Sequence, residues 1–385
     1  MRRFNVTGLC VPEKHYMVDI SGKIDKIRIL VDAQCYFTIN RARQYGKTTT
    51  LACLERALHG DYLVVSISFE GLGSVSFESE ANFCTAFLSL AHKALRYTDA
   101  SDEYKKEWMD PNVVTFLDLG EHIANMCRPC PAGKQQKVVL MIDEVDATSN
   151  NRVFIRFLGM LRSKFLARQN MKDYTFHNVI LAGVYDIKNI KLKIAGEGSD
   201  SNVQEEHTIY NSPWNIAAKF DIDMSFSPAE IATMLSEYES DHNTGMDMAA
   251  ISEEIYSYTS GYPFLVSRIC QCIDEELNKE WTLHGVQNAV SIILDEKNML
   301  FDDLFKNLEN NKALNDFMYD LLFVGNEPRF NIYDPLIELG HIYGFLKKGE
   351  RNKAIAANRI FEIAMYEYFL STKSRLMQNG WNSMG

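Results

Sequence analysis

The chain has 385 residues, which at about 150 residues per domain predicts two or three domains. Apolar residues make up 46% of it, with 22 Phe and 18 Tyr, so disorder of the chain as a whole is excluded. The 40 basic and 51 acidic residues give a net charge of −11, which disfavours a chain-wide electrostatic grip on nucleic acid or anionic membrane but still allows a local basic patch.

No run of 18 or more apolar residues occurs, so no membrane-spanning helix is expected. Residues 6–20 are interrupted by charged side chains and do not form the apolar stretch of a signal peptide. The eight cysteines are scattered through apolar segments, unlike the framework of a small secreted protein. We therefore expect a cytoplasmic protein with reduced thiols and no membrane partner.

Residues 36–226 alternate between strand and helix patterns. Runs of β-branched and aromatic residues predict strands at 36–40, 62–69, 137–145, 178–184 and 220–226. Helical spacing of apolar residues predicts helices at 49–58, 80–97, 112–127 and 154–165. Strands that alternate with helices predict an α/β fold with a parallel sheet. Residues 195–206 are rich in Gly, Ser, Asp and Glu and are expected to form a surface loop.

The pattern changes after Ser227. Ser227, Pro228 and Glu230 form a strong helix start, and helical patterns continue to about 297 with one break at 261–263. Short helices follow. Residues 344–356 could form a β-hairpin that turns at Lys348-Gly349, and a final helix is expected over 358–370. Helices with a terminal hairpin are typical of a winged helix.

The loop after the first strand is a candidate phosphate site. Residues 41–48 read Arg-Ala-Arg-Gln-Tyr-Gly-Lys-Thr and match the last three positions of the P-loop pattern, with Arg41 in place of its first glycine. Backbone amides at the start of a helix suit phosphate oxygens. In this interpretation Lys47 reaches the β- and γ-phosphates and the Thr48 hydroxyl holds Mg²⁺. The residues assigned to ATP here are Arg41, Ala42, Arg43, Gln44, Tyr45, Gly46, Lys47, Thr48 and Thr49. The alternative is a basic surface turn.

A second motif lies about ninety residues further on, where the apolar run 138–142 ends in Asp143 and Glu144. This is the Walker B pattern, in which Asp143 orders a Mg²⁺-bound water and Glu144 polarises the attacking water. Glu144 and Lys47 are the predicted catalytic residues, and Thr48 and Asp143 the predicted metal ligands. The alternative is that the acids only end a strand, and for Asp146 helix capping is the favoured interpretation. Tyr185 or Asp186, after the next strand, could sense the γ-phosphate or form an ordinary strand end.

These residues resemble the AAA-like P-loop ATPases of bacteria, close to the archaeal-type ATPase and STAND groups. Members of that group often carry Arg-x-Arg-Gln/Arg-x-Gly-Lys-Ser/Thr, which matches 41–48. The resemblance implies that the segment around Tyr16 and Val18 packs on adenine, and that Pro263 of Gly261-Tyr262-Pro263 contacts the base from a helical lid. The stretches 211–217 and 358–361 are similar to family segments.

The resemblance implies five regions. They are an N-terminal segment on the nucleotide (1–35), a P-loop ATPase core (36–226), a helical lid (227–298), a winged-helix-like domain (299–371) and a tail (372–385). Some relatives continue into a PD-(D/E)XK nuclease domain, which we do not expect in this chain.

Several other residues are candidates for a functional role but also have a structural explanation. Candidate arginine fingers follow Walker B, and Arg268 is a candidate contact to the nucleotide; the alternative for all of them is a solvated helix face. The spacing of Cys127 and Cys130 matches one cysteine pair of a zinc site, but we favour the interpretation that both are thiols without a metal. A basic hairpin tip could contact nucleic acid or be solvated. The arginine candidates are Arg156, Arg162 and Arg168, and the basic tip is Lys347, Lys348, Arg351 and Lys353.

Two functions remain open from the sequence. The first is a slow Mg²⁺-dependent ATPase that acts as a conformational switch, with an arginine supplied by a second copy of the chain or by a protein partner. The second is a module that holds nucleotide without turnover and whose winged helix recognises a protein or DNA. The acidic charge favours a protein partner over nucleic acid.

Overall fold

The computed structural model describes residues 2–129, 137–148, 151–184, 192–194, 208–210 and 213–382. The chain divides into two compact units. The helical unit comprises Met1–Gly22, Arg41–Thr49 and Asp223–Gly385, and the sheet unit comprises Lys23–Asn40 and Thr50–Ile222. The predicted P-loop belongs to the helical unit and the strands predicted between 36 and 184 belong to the sheet unit. The five-region division stays a prediction.

The sheet unit is built on four parallel strands in the order β1-β4-β3-β2. These are β1 (Phe37–Asn40), β2 (Leu63–Ser68), β3 (Val138–Asp143) and β4 (Asn178–Gly183). Every residue of β3 and β4 is buried, as expected of central parallel strands. The predicted parallel α/β sheet is therefore confirmed. A separate antiparallel pair, β5 (Leu192–Ile194) and β6 (Thr208–Tyr210), was not predicted.

The prediction of a fifth strand over 220–226 was wrong. Instead, an isolated bridge joins Ala218 to Phe37, and the Ala218 amide donates to the carbonyl of Tyr36 at 2.7 Å. The ring of Phe220 stacks on Phe37 with centroids 5.7 Å apart, so its apolar side chain is packed without a strand ladder. Further on, Asp223 accepts hydrogen bonds from the amide and hydroxyl of Ser225, a local turn that competes with strand pairing.

Six helices accompany the strands up to residue 169: α1 (Ser21–Asp32), α2 (Lys47–Leu58), α3 (Glu80–Leu95), α4 (Asp102–Glu107), α5 (Phe116–Met126) and α6 (Arg152–Gln169). Helix α1 was not predicted, although buried Ile24, Ile27 and Val31 follow helical spacing. The aromatic rings of α3 and α6 interlock in the core, with Phe83 and Phe157 at 4.8 Å between centroids. This core covers the sheet and supports the strand ends described below.

The helical unit continues with α7 (Pro228–His242), α8 (Met248–Thr259), α9 (Pro263–Glu275), α10 (Leu283–Asp295), α11 (Met299–Asn310), α12 (Lys312–Tyr319), α13 (Pro335–Ile342) and α14 (Arg359–Asn382). The predicted start of α7 is confirmed, because Ser227 and Glu230 form a reciprocal capping box. Gly261, between α8 and α9, has φ +73°, and a side chain there would lie 2.0 Å from the carbonyl oxygen of Phe226. The break at 261–263 therefore requires glycine.

The predicted hairpin is present as the antiparallel strands β7 (Leu346–Lys348) and β8 (Ala354–Ala356). The connection is longer than a turn at Lys348-Gly349, because a 3₁₀ turn at Glu350–Asn352 separates the strands. The final helix, α14, extends beyond the predicted end at 370. None of the helices in the described ranges combines the length and apolar character needed to cross a bilayer.

Candidate functional site

The loop between β1 and α2 wraps around the side chain of Lys47. The Lys47 ammonium donates to the backbone carbonyls of Arg41 and Ala42, both at 3.0 Å. The side chain is buried, with the residue only 6% exposed. A buried ammonium requires such polar partners. The loop therefore fixes the cation at the first residue of α2, where helix amides also favour an anion.

Two residues of this loop adopt the left-handed region, Gly46 with φ +73° and Gln44 with φ +57°. For Gly46 this conformation has no steric cost, whereas for Gln44 it is strained. Non-glycine residues in this region concentrate at binding sites, where the surrounding structure holds them in place. Sequence reasoning assigned both residues to ATP but did not anticipate the conformation of Gln44.

The start of α9 packs on the same loop. The hydroxyl of Tyr262 donates to the carbonyl of Arg43, and its ring meets that of Tyr45 edge-on at 4.7 Å. Burial raises the pKa of Tyr262, so it remains a neutral donor. A Cβ added at Gly46 would lie 3.8 Å from Pro263. Pro263 thus lies beside the loop, although its predicted contact with a base is a separate proposal.

Two more segments of the helical unit reach the loop. Arg43 forms an ion pair with Asp303 of α11 at 3.0 Å. Gly344, before β7, approaches Ala42 so closely that an added Cβ would be 2.9 Å from the Ala42 side chain. No motif predicted these contacts. In the sequence, the only sign of this close approach to Ala42 is that residue 344 is a glycine.

The two threonines after Lys47 have different surroundings. Thr48, the predicted Mg²⁺ ligand, is exposed in the first turn of α2. The hydroxyl oxygen of Thr49 accepts a hydrogen bond from the amide of Cys10 at 3.2 Å. Thr49 therefore anchors the N-terminal segment to the helix start, in addition to its proposed place near phosphate.

Asp143 and Glu144 end β3 in the sheet unit. Asp143 is 7% exposed, and its Oδ1 accepts a hydrogen bond from the Glu144 amide at 2.9 Å. Glu144 is half-buried and has φ +55°, a strained conformation for a residue with a side chain. Strand β3 runs parallel to β1 with β4 between them, so β1 and β3 end at the same edge of the sheet.

Asp146 has a structural role. Its Oδ2 accepts a hydrogen bond from the Val184 amide at 2.6 Å, and its Oδ1 would lie 2.7 Å from a Cβ added at Gly183. It ties the segment after β3 to the end of β4. This hydrogen bond supports a structural role for Asp146 over metal binding. Its partner in this bond is the residue after β4, and not a helix start as the predicted capping role implied. Tyr185 and Asp186 lie outside the described residues.

Tyr16 and Val18 are buried in the core of the helical unit. The Tyr16 ring packs on Phe4 and Tyr238, and its hydroxyl donates to Asp241 at 3.0 Å. Burial and the neighbouring Asp241 carboxylate raise the pKa of Tyr16 to about 12. The described contacts of Tyr16 thus anchor the N-terminal segment to α7, and an adenine contact remains a proposal.

Three of the four arginine candidates are bound within their own unit. Arg156 pairs with Glu80 at 3.1 Å. Arg168 donates to the carbonyls of His177 at 2.8 Å and Gln34 at 3.1 Å. Arg268 is paired with Glu276 at 2.8 Å and also with Glu296. These contacts favour structural roles over the predicted contacts with nucleotide. Arg162 is half-buried on α6.

The basic side chains of the hairpin are less available for contact with nucleic acid than the sequence suggested. Lys347 donates to the hydroxyl of Ser260 at 2.6 Å, and burial lowers its pKa. Lys353 pairs with Glu327. Lys348 and Arg351 remain exposed. Two of the four cations thus have protein partners, which weakens the nucleic-acid interpretation.

No group of three or more His, Cys, Asp or Glu that could hold a metal occurs within the described ranges. Cys127 is a buried free thiol, and Cys130 lies outside these ranges, so the zinc interpretation is untested. Mg²⁺ requires fewer protein ligands, since waters and phosphates complete its shell. A buried strand-end carboxylate, Asp143, and an exposed hydroxyl, Thr48, are the ligand types that it prefers.

Comparison with known proteins supports the fold. A Walker-type ATPase of Pyrococcus abyssi is similar, with a TM-score of 0.59 and 12% identity over 94% of this chain and 99% of that one. The RuvB Holliday junction branch migration motor of Thermotoga maritima matches at 13% identity over 88% of this chain and 92% of that one, with a TM-score of 0.41 that is too low to support an inference.

Among curated proteins, no sequence matches the chain. A family model described as an AAA-like domain matches residues 16–323, which include both motifs and the helices α1 to α12. The chain belongs to the AAA-like domain family.

Proposed function

We propose that the protein binds ATP with Mg²⁺ and hydrolyses it slowly, as a conformational switch. The observation that carries this proposal is the loop of 41–46, which holds the Lys47 ammonium at the start of α2 through two carbonyls. The Walker B carboxylate supports it, because Asp143 ends a strand at the same sheet edge as β1, which leads into the loop. Membership of the AAA-like domain family is consistent with this chemistry.

Each residue has a proposed task. Lys47 and the first amides of α2 bind phosphate oxygens, and the Thr48 hydroxyl and Asp143 hold the metal directly or through water. Bound Mg²⁺ would neutralise charge that develops on the phosphates. Glu144 accepts a proton from the attacking water. Its strained backbone and the hydrogen bond from its amide to Asp143 hold the main chain at this strand end in one conformation.

The proposed switch depends on what touches the loop. Tyr262 of the α8–α9 connection, Asp303 of α11 and Gly344 before β7 all contact residues 42–43. A loop that rearranges around phosphate would change these contacts and so the position of the C-terminal elements. A helical lid and a winged-helix-like domain are part of this proposal, as is a cytoplasmic location.

We propose that an arginine in trans supports turnover, since three of the four candidates in this chain, Arg156, Arg168 and Arg268, are each bound to groups of their own unit. Such an arginine accelerates related reactions by about 10³–10⁵. The partner would be a second copy of this chain or another protein. If a second copy supplies it, specific ATPase activity rises with protein concentration.

The test compares phosphate release and ATP retention in three proteins. Wild type should release phosphate slowly, and Glu144→Gln should bind ATP as well as wild type but release no phosphate above background. Glu121→Gln, an exposed residue on α5, is the matched control and should behave as wild type. Unaltered hydrolysis in Glu144→Gln would remove Glu144 from the mechanism. Absence of ATP binding by wild type would refute the proposed function.

A further inference from the structure

The sheet unit contains a cavity that lies away from the strand end that carries Asp143. This cavity has a volume of about 580 Å³. Its lining includes Val138, the first residue of β3, and His177, which precedes β4. It therefore opens at the edge where the parallel strands begin, whereas Asp143 lies at the edge where they end. Its volume is in the range of small-molecule sites, about 300–1,000 Å³.

The lining is strongly basic although the chain is acidic. Arg128, Lys137, Arg168 and Lys172 all contribute to it. Among the lining residues of the described chain, the only carboxylate is that of Asp173, which Lys164 binds at 2.6 Å. The positive charge of the cavity is therefore not balanced by its own lining.

Three of these cations, Arg128, Lys137 and Arg168, contact neutral groups. Arg168 donates to backbone carbonyls, including that of His177 at 2.8 Å, which fixes its guanidinium without cancelling its charge. Arg128 lies over the ring of Tyr174 and Lys137 over that of Tyr62, each 5.7 Å from the ring centroid. No described carboxylate lies within ion-pair distance of Arg128, Lys137 or Lys172.

The lowered pKa of the His177 imidazole reflects its burial and the positive charge around the cavity. Burial lowers its pKa to about 4, with further lowering by the charges of Lys137 and Arg168. It is 8% exposed, and its Nε2 is 3.1 Å from the carbonyl oxygen of Val31. His177 is thus neutral at pH 7 and adds no charge of its own, while the surrounding potential opposes a further proton.

A purely structural explanation accounts for only part of this arrangement. Cations near the C-termini of helices stabilise the helix dipole, and Arg128 and Arg168 lie near the ends of α5 and α6. Lys137 is not at a helix end, since it directly precedes β3. The helix dipole also does not require that the cations surround a cavity.

We propose that this cavity is a binding site for a small polyanion, of the chemical class of phosphorylated metabolites, separate from the P-loop. Two guanidinium groups and two ammonium groups around one cavity suit a compact ligand with two or more negative charges. This proposal does not depend on the proposed ATPase activity, because it uses residues at the opposite edge of the sheet.

The test uses inorganic pyrophosphate as the probe on the full chain. Acetylation rates of individual lysines, followed by mass spectrometry, locate where it binds. Lys137 and Lys172 should be acetylated severalfold more slowly at saturating pyrophosphate, while the exposed Lys26 and Lys106 should be unaffected. Protection of Lys47 is recorded separately and reports the P-loop. Unprotected Lys137 and Lys172, or equal protection of Lys26 and Lys106, would overturn the proposal.

A charge-matched pair of variants provides the second arm. In a Lys47→Ala background, Lys137→Gln with Lys172→Gln should bind pyrophosphate about tenfold more weakly by calorimetry, about a factor of three for each charge. Lys26→Gln with Lys106→Gln removes the same charge elsewhere and should leave affinity unchanged. Equal affinity in the two double variants would contradict a site in this cavity.

Discussion

The hydroxyl of Tyr262 donates a hydrogen bond to the backbone carbonyl of Arg43, so the start of α9 is attached to the phosphate loop through a backbone atom. This contact does not depend on the identity of residue 43. It is accompanied by the edge-on packing of Tyr45 against the same ring. A movement of α9 therefore bears directly on the shape of the loop, which is the physical basis of the proposed switch.

Removing this hydroxyl should weaken ATP binding. In Tyr262→Phe the ring remains but the hydrogen bond, worth about 0.5–1.5 kcal/mol, is lost, and the loop spends less time in its binding conformation. We expect ATP affinity to fall about threefold to tenfold in calorimetry. Tyr97→Phe, at a residue 89% exposed, is the control. Wild-type affinity in Tyr262→Phe would show that the contact does not shape the loop.

The strained backbone at Gln44 predicts that a glycine variant is more stable than a valine variant at this position. With φ +57°, position 44 should accept glycine and resist β-branched side chains. Gln44→Val is expected to be less stable than Gln44→Gly by about 1–2 kcal/mol in urea unfolding. On the exposed face of α10 the order should reverse, so Gln287→Val should be more stable than Gln287→Gly. The same order at both positions would contradict the loop conformation.

Asp146 should contribute to stability and not to metal binding. Asp146→Ala removes the acceptor for the Val184 amide and should cost about 1–3 kcal/mol of unfolding free energy. Asp146→Asn retains an oxygen that can accept this bond and should lose less. Both variants should bind Mg²⁺-ATP with wild-type affinity. Loss of Mg²⁺-dependent binding in a stable Asp146→Asn protein would assign Asp146 to the metal instead.

His177 predicts part of the pH dependence of stability. Its pKa is lowered from 6.5 to about 4 in the folded protein, so between these values the unfolded chain binds more protons than the folded one. Stability should therefore fall as the pH decreases from about 6.5 to 4. In His177→Gln this part of the loss disappears, and its unfolding free energy should approach or exceed that of wild type at low pH. Parallel profiles for wild type and His177→Gln would refute the assignment.

The sheet was predictable because its signals are local. The short apolar runs of β3 and β4 are typical of buried parallel strands. The capping box of Ser227 and Glu230 marks the start of α7. The prediction of a strand over 220–226 was wrong because an apolar and aromatic segment does not by itself show whether a neighbouring strand is available for pairing. The segment joins the sheet through an isolated bridge at Ala218, before the predicted strand begins.

The candidate site was predictable where it is contiguous in sequence. Residues 41–49 and 143–144 follow motif spacing, whereas Tyr262, Asp303 and Gly344 meet the loop from far along the chain. The basic cavity was not predictable for the same reason. Its cations come from the ends of α5 and α6 and the start of β3, which only the fold brings together.

The most direct test of shared phosphate and metal binding is calorimetric titration of ATP with Mg²⁺ and with excess chelator. Lys47→Ala should weaken binding under both conditions, because Lys47 contacts phosphate. Asp143→Asn should weaken it only when Mg²⁺ is present, down to the metal-free affinity of wild type. Full Mg²⁺-dependent affinity in Asp143→Asn, or wild-type affinity in Lys47→Ala, would contradict a common site for the two residues.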